Sequence, residues 1–177
     1  MLLNLSGVLS EQHKPVDEIV SCSMDEFWMK SGAYPVVSKE DAHIHVEYAG
    51  SQRLRIHGTC RLTVEIPCGR CLKAVPVEFR LDFEKEAESS AAEQSSEKTD
   101  QLDENNYIDG YFLDVDKLLY NEILVGWPMK VLCSEDCKGI CSVCGQNLNE
   151  GACDCEDTGL DPRMSVIRDV FKNFKEV

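Results

Sequence analysis

Eight of the ten cysteines fall into four close pairs, Cys68/Cys71, Cys133/Cys137, Cys141/Cys144 and Cys153/Cys155. Thiolates two to four residues apart converge on one small cation, and two such pairs complete a closed tetrahedral shell of four sulfurs. The inventory matches two zinc sites, and a shell with no open coordination position points to a structural metal rather than a catalytic one. Between Cys133 and Cys155 the only large apolar residues are Ile140, Val143 and Leu148. Burial of such side chains contributes about 1.5 to 3 kcal/mol each, against roughly 10 to 16 kcal/mol of apparent free energy for structural zinc in small peptides. Metal must therefore shape this stretch. In Cys141-Ser142-Val143-Cys144-Gly145 the final glycine leaves the backbone free to turn under the sulfurs, as in a zinc knuckle.

Four pairs divide into two sites in three ways. Sequence proximity joins Cys141/Cys144 to Cys153/Cys155 and leaves Cys68/Cys71 with Cys133/Cys137. The second of these sites closes a loop of about 60 residues at an entropic cost of about 3 to 4 kcal/mol, well within what a zinc ion supplies. A rival partition keeps Cys133, Cys137, Cys141 and Cys144 together and sends Cys153/Cys155 to the first pair. Other chemistries fit less well. Cys137, Cys141 and Cys144 have the spacing of radical-type iron-sulfur enzymes, but those are large barrels and only 33 residues follow Cys144. A thioredoxin-like pair opens a helix in a βαβ unit, whereas Cys68/Cys71 sits between strands. Cys22 and Cys60 have no paired neighbour and read as small buried hydrophobes.

The chain has 177 residues, 43% of them hydrophobic, enough for one moderate domain or two small ones. Met1 to Leu9 have no basic start, no signal-length apolar core and no small-residue cleavage pattern, and no stretch approaches a membrane span. The expectation is a cytoplasmic chain, in which clustered cysteines are metal ligands rather than disulfides. With 32 acidic against 18 basic side chains the formal charge is −14. Two four-thiolate zinc sites would each add about two negative units. Such a surface repels nucleic acid at long range and favours basic partners, so RNA binding would need a local basic patch.

Residues 42 to 86 alternate apolar and polar side chains over three runs, the mark of antiparallel strands. Ile44, Val46 and Tyr48 share one face; Leu54, Ile56, Cys60, Leu62, Val64 and Ile66 share the next; Val75, Val77, Phe79, Leu81 and Phe83 form the third. Ala49 to Gln52 supply a turn, and Cys68/Cys71 falls at a hairpin tip. Residues 1 to 41, broken by Pro15, Gly32 and Pro35, predict one strand and a short helix. The reading is an α+β fold: an antiparallel β-sheet domain over 1–86, an acidic disordered linker over 87–106, a helix docking on the sheet within 107–132, and a cysteine-rich zinc module with a C-terminal helix over 133–177. Asp114 is the expected N-cap of the first helix, which Gly126 and Pro128 stop. Asp161-Pro162 opens the last, whose stripe is Met164, Ile167, Val170, Phe171 and Phe174.

From residue 42 to residue 80 there are six Lys or Arg against three acids. Arg53, Arg55 and Arg61 on one strand face, with Arg70 and Lys73 at the hairpin tip, are candidates for RNA or partner contact. The simpler alternative is a solvated face of cross-strand pairs, such as Glu47 with Arg53. His43, His45 and His57 belong to that face as exposed polar residues. Arg163, Arg168, Lys172 and Lys175 are a second basic candidate. No Ser/His/Asp set, phosphate-binding glycine loop or carboxylate pair beside an open metal stands out, so the chain is not expected to be an enzyme or to take a small-molecule substrate.

Cys-Gly-Arg-Cys-Leu at 68 to 72, Trp-Pro-Met-Lys-Val-Leu-Cys at 127 to 133, Cys-Lys-Gly-Ile-Cys-Ser-Val-Cys-Gly-Gln-Asn-Leu-Asn at 137 to 149, Cys-Asp-Cys at 153 to 155 and Asp-Pro-Arg at 161 to 163 together resemble the bacterial YceD family. Its members are called large ribosomal RNA subunit accumulation proteins. The resemblance implies a cytosolic, non-enzymatic factor for accumulation or maturation of large-subunit (23S) ribosomal RNA, often encoded beside a large-subunit ribosomal protein. Its partners would be a pre-ribosomal large-subunit particle, ribosomal RNA or a basic ribosomal protein. Some relatives keep only the first cysteine pair and two potential ligands matching Cys133 and Cys137, which supports the first partition. Two other readings stand beside this one: a zinc-dependent protein adaptor that never touches RNA, and an enzyme or redox sensor using a reactive thiol.

Overall fold

The computed structural model describes residues 1–51, 53–88 and 107–155. It is mainly antiparallel sheet with two helices, the α+β class the sequence predicts. The chain forms two compact units. One is Met1–Ile66 with Ala74–Val131, and the other is Pro67–Lys73 with the chain from Leu132 onward. The C-terminal helix expected from Asp161, the turn residue Gln52 and residues 89–106 of the expected linker lie outside the described residues.

In the first unit the three alternating runs become β5 (Ala42–Gly50), β6 (Arg53–Pro67, whose last residue belongs to the other unit) and β7 (Ala74–Glu88). β7 runs past Phe83 through the buried Ala87. Ile44, Val46, Leu54, Ile56, Leu62 and Val64 are all buried in the core, and Cys60 with them. β5 pairs antiparallel with β6 from His43↔Thr59 to Gly50↔Arg53. Gly50 and Ser51 turn the chain with φ of +89° and +52°. Gly58 interrupts the apolar row of β6 because the Phe83 ring of β7 lies over it: an added Cβ would sit 2.3 Å from the ring.

The first 41 residues carry more strands than expected: β1 (Leu2–Asn4), β2 (Val16–Val20), β3 (Glu26–Met29) and β4 (Gly32–Lys39), besides α1 (Ser6–Leu9). Their alternation is weak because most of their side chains are exposed, and neighbouring strands rather than their own pattern hold them. β2 pairs with β5, and β4 joins β3 to β6 through Pro35, which stands in the register opposite Glu26. The resulting six-stranded sheet has the order β2-β5-β6-β4-β3, with β7 also on β6. A smaller sheet of β8 (Ile108–Asp109), β9 (Phe112–Asp114) and β1 closes the unit.

The helix α2 (Val115–Val125) begins where predicted, with the Asp114 carboxylate accepting from the Lys117 N–H at 3.3 Å. Its Val115, Leu118, Leu119 and Ile123 are fully buried, and Glu122 pairs with Lys85 on β7 at 2.5 Å. Just beyond, Trp127 stacks between Phe27 at 4.9 Å and Phe79 at 5.7 Å, which ties the helix exit to β3 and β7. Among the described residues no helix is long and apolar enough to cross a membrane.

Candidate metal centres

All eight paired cysteines come together in the second unit, in two groups of four. Cys68, Cys71, Cys133 and Cys137 form one; Cys141, Cys144, Cys153 and Cys155 form the other, and within each group the sulfurs lie within 4.8 Å of one another. A tetrahedron with metal–sulfur bonds of about 2.3 Å has edges of about 3.8 Å. In the first group Cys68 and Cys137 are 3.8 Å apart and Cys71 and Cys133 3.5 Å. Each group can hold a metal ion. The pairs are grouped as sequence proximity groups them, with Cys71 reaching 62 residues along the chain to Cys133.

The two groups share one local device. At the first, the Cys68 N–H donates to the Lys73 carbonyl at 2.8 Å, the Leu72 N–H returns to the Cys68 carbonyl at 3.0 Å, and the Arg70 N–H points at the Cys68 sulfur at 3.5 Å. At the second, Cys141 bonds the Gln146 carbonyl at 2.8 Å, Gly145 returns to the Cys141 carbonyl at 2.9 Å, and the Val143 N–H points at the Cys141 sulfur at 3.4 Å. These are the same three bonds at the same offsets from Cys68 and Cys141. In both the residue after the second cysteine takes a left-handed backbone, φ +61° at Leu72 and +75° at Gly145. The sequence reveals the second knuckle through its glycine; in the first a leucine, 65% exposed, carries the strain.

These amides set the electrostatics. Backbone N–H groups of Cys71, Arg70 and Cys133 pull the Cys68 thiol down to about 6, and those of Cys144 and Val143 do the same for Cys141, also to about 6. The Lys73 amide favours the Cys71 thiolate too, but burial and the neighbouring sulfurs push that thiol up to about 12. The sulfur of Cys144, then burial and the sulfur of Cys153, push Cys155 up to about 12 as well. Four thiols crowded together resist joint ionisation, and a divalent cation removes the conflict by binding all four as thiolates.

Two residues absent from the sequence-level site complete the first centre. The Asn149 side chain donates to the Cys137 sulfur at 3.3 Å, while its oxygen accepts from the Lys138 N–H at 2.8 Å. Asn149 lies in the chain between Cys144 and Cys153, so the loop of one centre braces a ligand of the other. Gly139, at φ +82°, passes so close to Arg70 that a Cβ would meet the Arg70 carbonyl oxygen at 3.3 Å. Only an asparagine three positions after the Cys144-Gly145-Gln146 turn hints at this from the sequence.

The candidate contact residues fare differently. Arg53 faces Glu88 at 3.3 Å; Arg55 faces Glu47 at 2.9 Å, Glu86 at 3.2 Å and Glu84 at 3.3 Å; Arg61 faces Glu78 at 3.3 Å and Glu40 at 3.4 Å. Glu47 stands opposite Arg55, two residues on from the Arg53 pairing considered from sequence. His43 and His45 flank Asp17, and His57 faces Asp82. Arg70 instead donates to two neutral acceptors, the carbonyls of Cys137 at 2.8 Å and Glu135 at 3.2 Å, and Lys73 is exposed beside it. Arg163, Arg168, Lys172 and Lys175 lie outside the described residues.

The family model for YceD, described as Large ribosomal RNA subunit accumulation protein YceD, matches residues 56–171. A protein of Zea mays, Large ribosomal RNA subunit accumulation protein YCED homolog 1, chloroplastic, is 25% identical over 146 residues, covering 68% of this chain and 50% of that protein. The chain thus spans about half the length of the curated relative it matches. No solved structure matches it.

Proposed function

The chain belongs to the YceD family, and from that premise we propose that it is a cytoplasmic, non-enzymatic factor supporting accumulation or maturation of large-subunit ribosomal RNA, folded around two structural zinc ions. One observation carries the zinc half of this reading: eight sulfurs in two sets of four, each set within 4.8 Å, and in the first set two separations of 3.8 and 3.5 Å that match the edge of a tetrahedral thiolate shell. Cys68, Cys71, Cys133 and Cys137 hold one ion, and Cys141, Cys144, Cys153 and Cys155 the other. Zinc bound in such a shell supplies a rigid anchor and no open position for substrate, which is why the reading is structural. The ribosomal half rests on the family description and on the name of the maize relative.

Depleting the protein and resolving ribosomal particles on a gradient tests that half. The expected result is a deficit of large subunits and of their RNA, and unchanged particles would refute it. The three strand arginines pair with carboxylates, so direct RNA contact falls to Arg70 and Lys73: among the described residues Arg70 donates to two neutral carbonyls and Lys73 is exposed. The same observation favours a second reading, a zinc-dependent adaptor that reaches the particle through a protein. Crosslinking to RNA that is lost in Lys73→Glu supports the first; crosslinks to protein alone support the adaptor.

A further inference from the structure

β7 is 15 residues long and pairs with β6. Among the described residues no strand pairs with its other edge. An edge of that length presents a row of backbone C=O and, Pro76 apart, N–H groups with no ladder partner among the described residues, the usual template for an added strand. Native sheets rarely leave such an edge bare, and what guards this one also states what it accepts. The exposed face of β7 carries Glu78, Asp82, Glu84, Glu86 and Glu88 against the single cation Arg80. The arginines that answer these acids lie one strand inward, on β6. A chain arriving at the outer edge therefore meets the carboxylates first. Asp82, the most exposed of them, faces His57 at 3.4 Å.

We infer that this edge receives a basic, extended segment of a partner protein as one more strand of the sheet. Three arguments select that occupant. A second copy of β7 would set carboxylates opposite carboxylates, which destabilises cross-strand pairing. Nucleic acid is repelled by the same row, because affinity for a phosphate backbone comes from cations. An extended segment with Lys or Arg at every second position satisfies both the ladder and the charges. Its intervening residues fall on the opposite face beside Val75, Val77 and Leu81, which are only half-buried, so small or β-branched apolar side chains complete the pattern. Basic arms of this kind are common on proteins that live on RNA. The inference relies on the ribosomal reading above only for where such a partner is met.

The test uses the purified, metal-loaded full chain and a fluorescent ten-residue peptide of alternating lysine and valine, capped at both ends. Saturable binding is expected, weakening with salt, together with slowed amide exchange confined to residues 74–88. A peptide of identical charge with alternate amides N-methylated, which removes ladder donors, is expected to bind about tenfold more weakly. Glu84→Lys/Glu86→Lys is expected to weaken the parent peptide about tenfold and Glu84→Gln/Glu86→Gln, which spares the shape, about threefold. Equal binding of the methylated peptide, slowed exchange elsewhere, or β7 amides already protected in the free chain by another of its own segments would overturn the proposal. Peptide binding intact in a protein whose depletion spares ribosomal RNA would remove the function and keep the docking edge. The reverse result would remove the edge alone.

Discussion

Exchanging the residues that follow the second cysteine of each knuckle separates backbone strain from everything else at these centres. Leu72 and Gly145 occupy the same left-handed position, at φ +61° and +75°. A left-handed backbone costs a residue with a side chain about 1 to 2 kcal/mol. A Cβ at Gly145 meets nothing within 4 Å, so the first side-chain carbon of Gly145→Leu carries that conformational cost and no clash. If the cysteine-rich unit folds around zinc ions as proposed, the cost is read as metal affinity, and zinc retention at the Cys141 centre should fall by about 5-fold to 30-fold. The reverse change removes the strain from an exposed leucine but adds the extra chain entropy of glycine, about 0.5 to 1 kcal/mol. Leu72→Gly should therefore leave the Cys68 centre unchanged or tighten it by up to about tenfold. Competition against a chromogenic chelator, run on each single variant, measures both. A Gly145→Leu protein that holds zinc as firmly as the parent would refute the knuckle argument, and so would a Leu72→Gly protein that loses it.

Other consequences concern the sheet and the surroundings of the sulfurs. Gly58→Ala drives a methyl into the Phe83 ring and should cost about 1 to 3 kcal/mol in denaturant unfolding, with much of the loss restored by trimming Phe83 to leucine. Asn149→Ala removes a donor from the Cys137 sulfur and should weaken the Cys68 centre about fivefold, although Asn149 stands among the ligands of the other; competition titrations on single-centre cysteine variants resolve which site responds. Acid should release both ions. Protons compete with the ion for every thiolate, so retention falls as pH falls, and a zinc-release titration should place the loss below the pH of about 6 at which the metal-free Cys68 and Cys141 thiols, held down from about 9, would take up protons.

Most of the sheet could be read in advance because burial writes itself as alternation. β5, β6 and β7 each bury one face, and the residues named from the pattern, Ile44 through Phe83, line the core or its margin, all but Val75. The strands before residue 41 expose most of their side chains and are fixed by pairing with β5 and β6, information that lies in other parts of the chain. Pairing also explains the arginine face. A count ending at residue 80 finds an excess of cations, but three of the acids that answer Arg53 and Arg55, Glu84, Glu86 and Glu88, come from the far half of β7. The two four-cysteine groups are legible in the sequence, since cysteine spacing is itself the signal. Their supports are not: Asn149 acts through a fold-back of the chain, marked by the Ile140↔Asn147 bridge, and Leu72 occupies a position where glycine would have announced the turn.

Metal content of the natively purified protein, counted while the cysteines are replaced pair by pair, tests the central claim most directly. Two zinc ions per chain are predicted. Replacing Cys68/Cys71 or Cys133/Cys137 should remove one ion, replacing Cys141/Cys144 or Cys153/Cys155 should remove the other, and chelation should loosen residues 133 to 155 before the sheet. A protein that carries no metal yet keeps that segment folded would contradict the account.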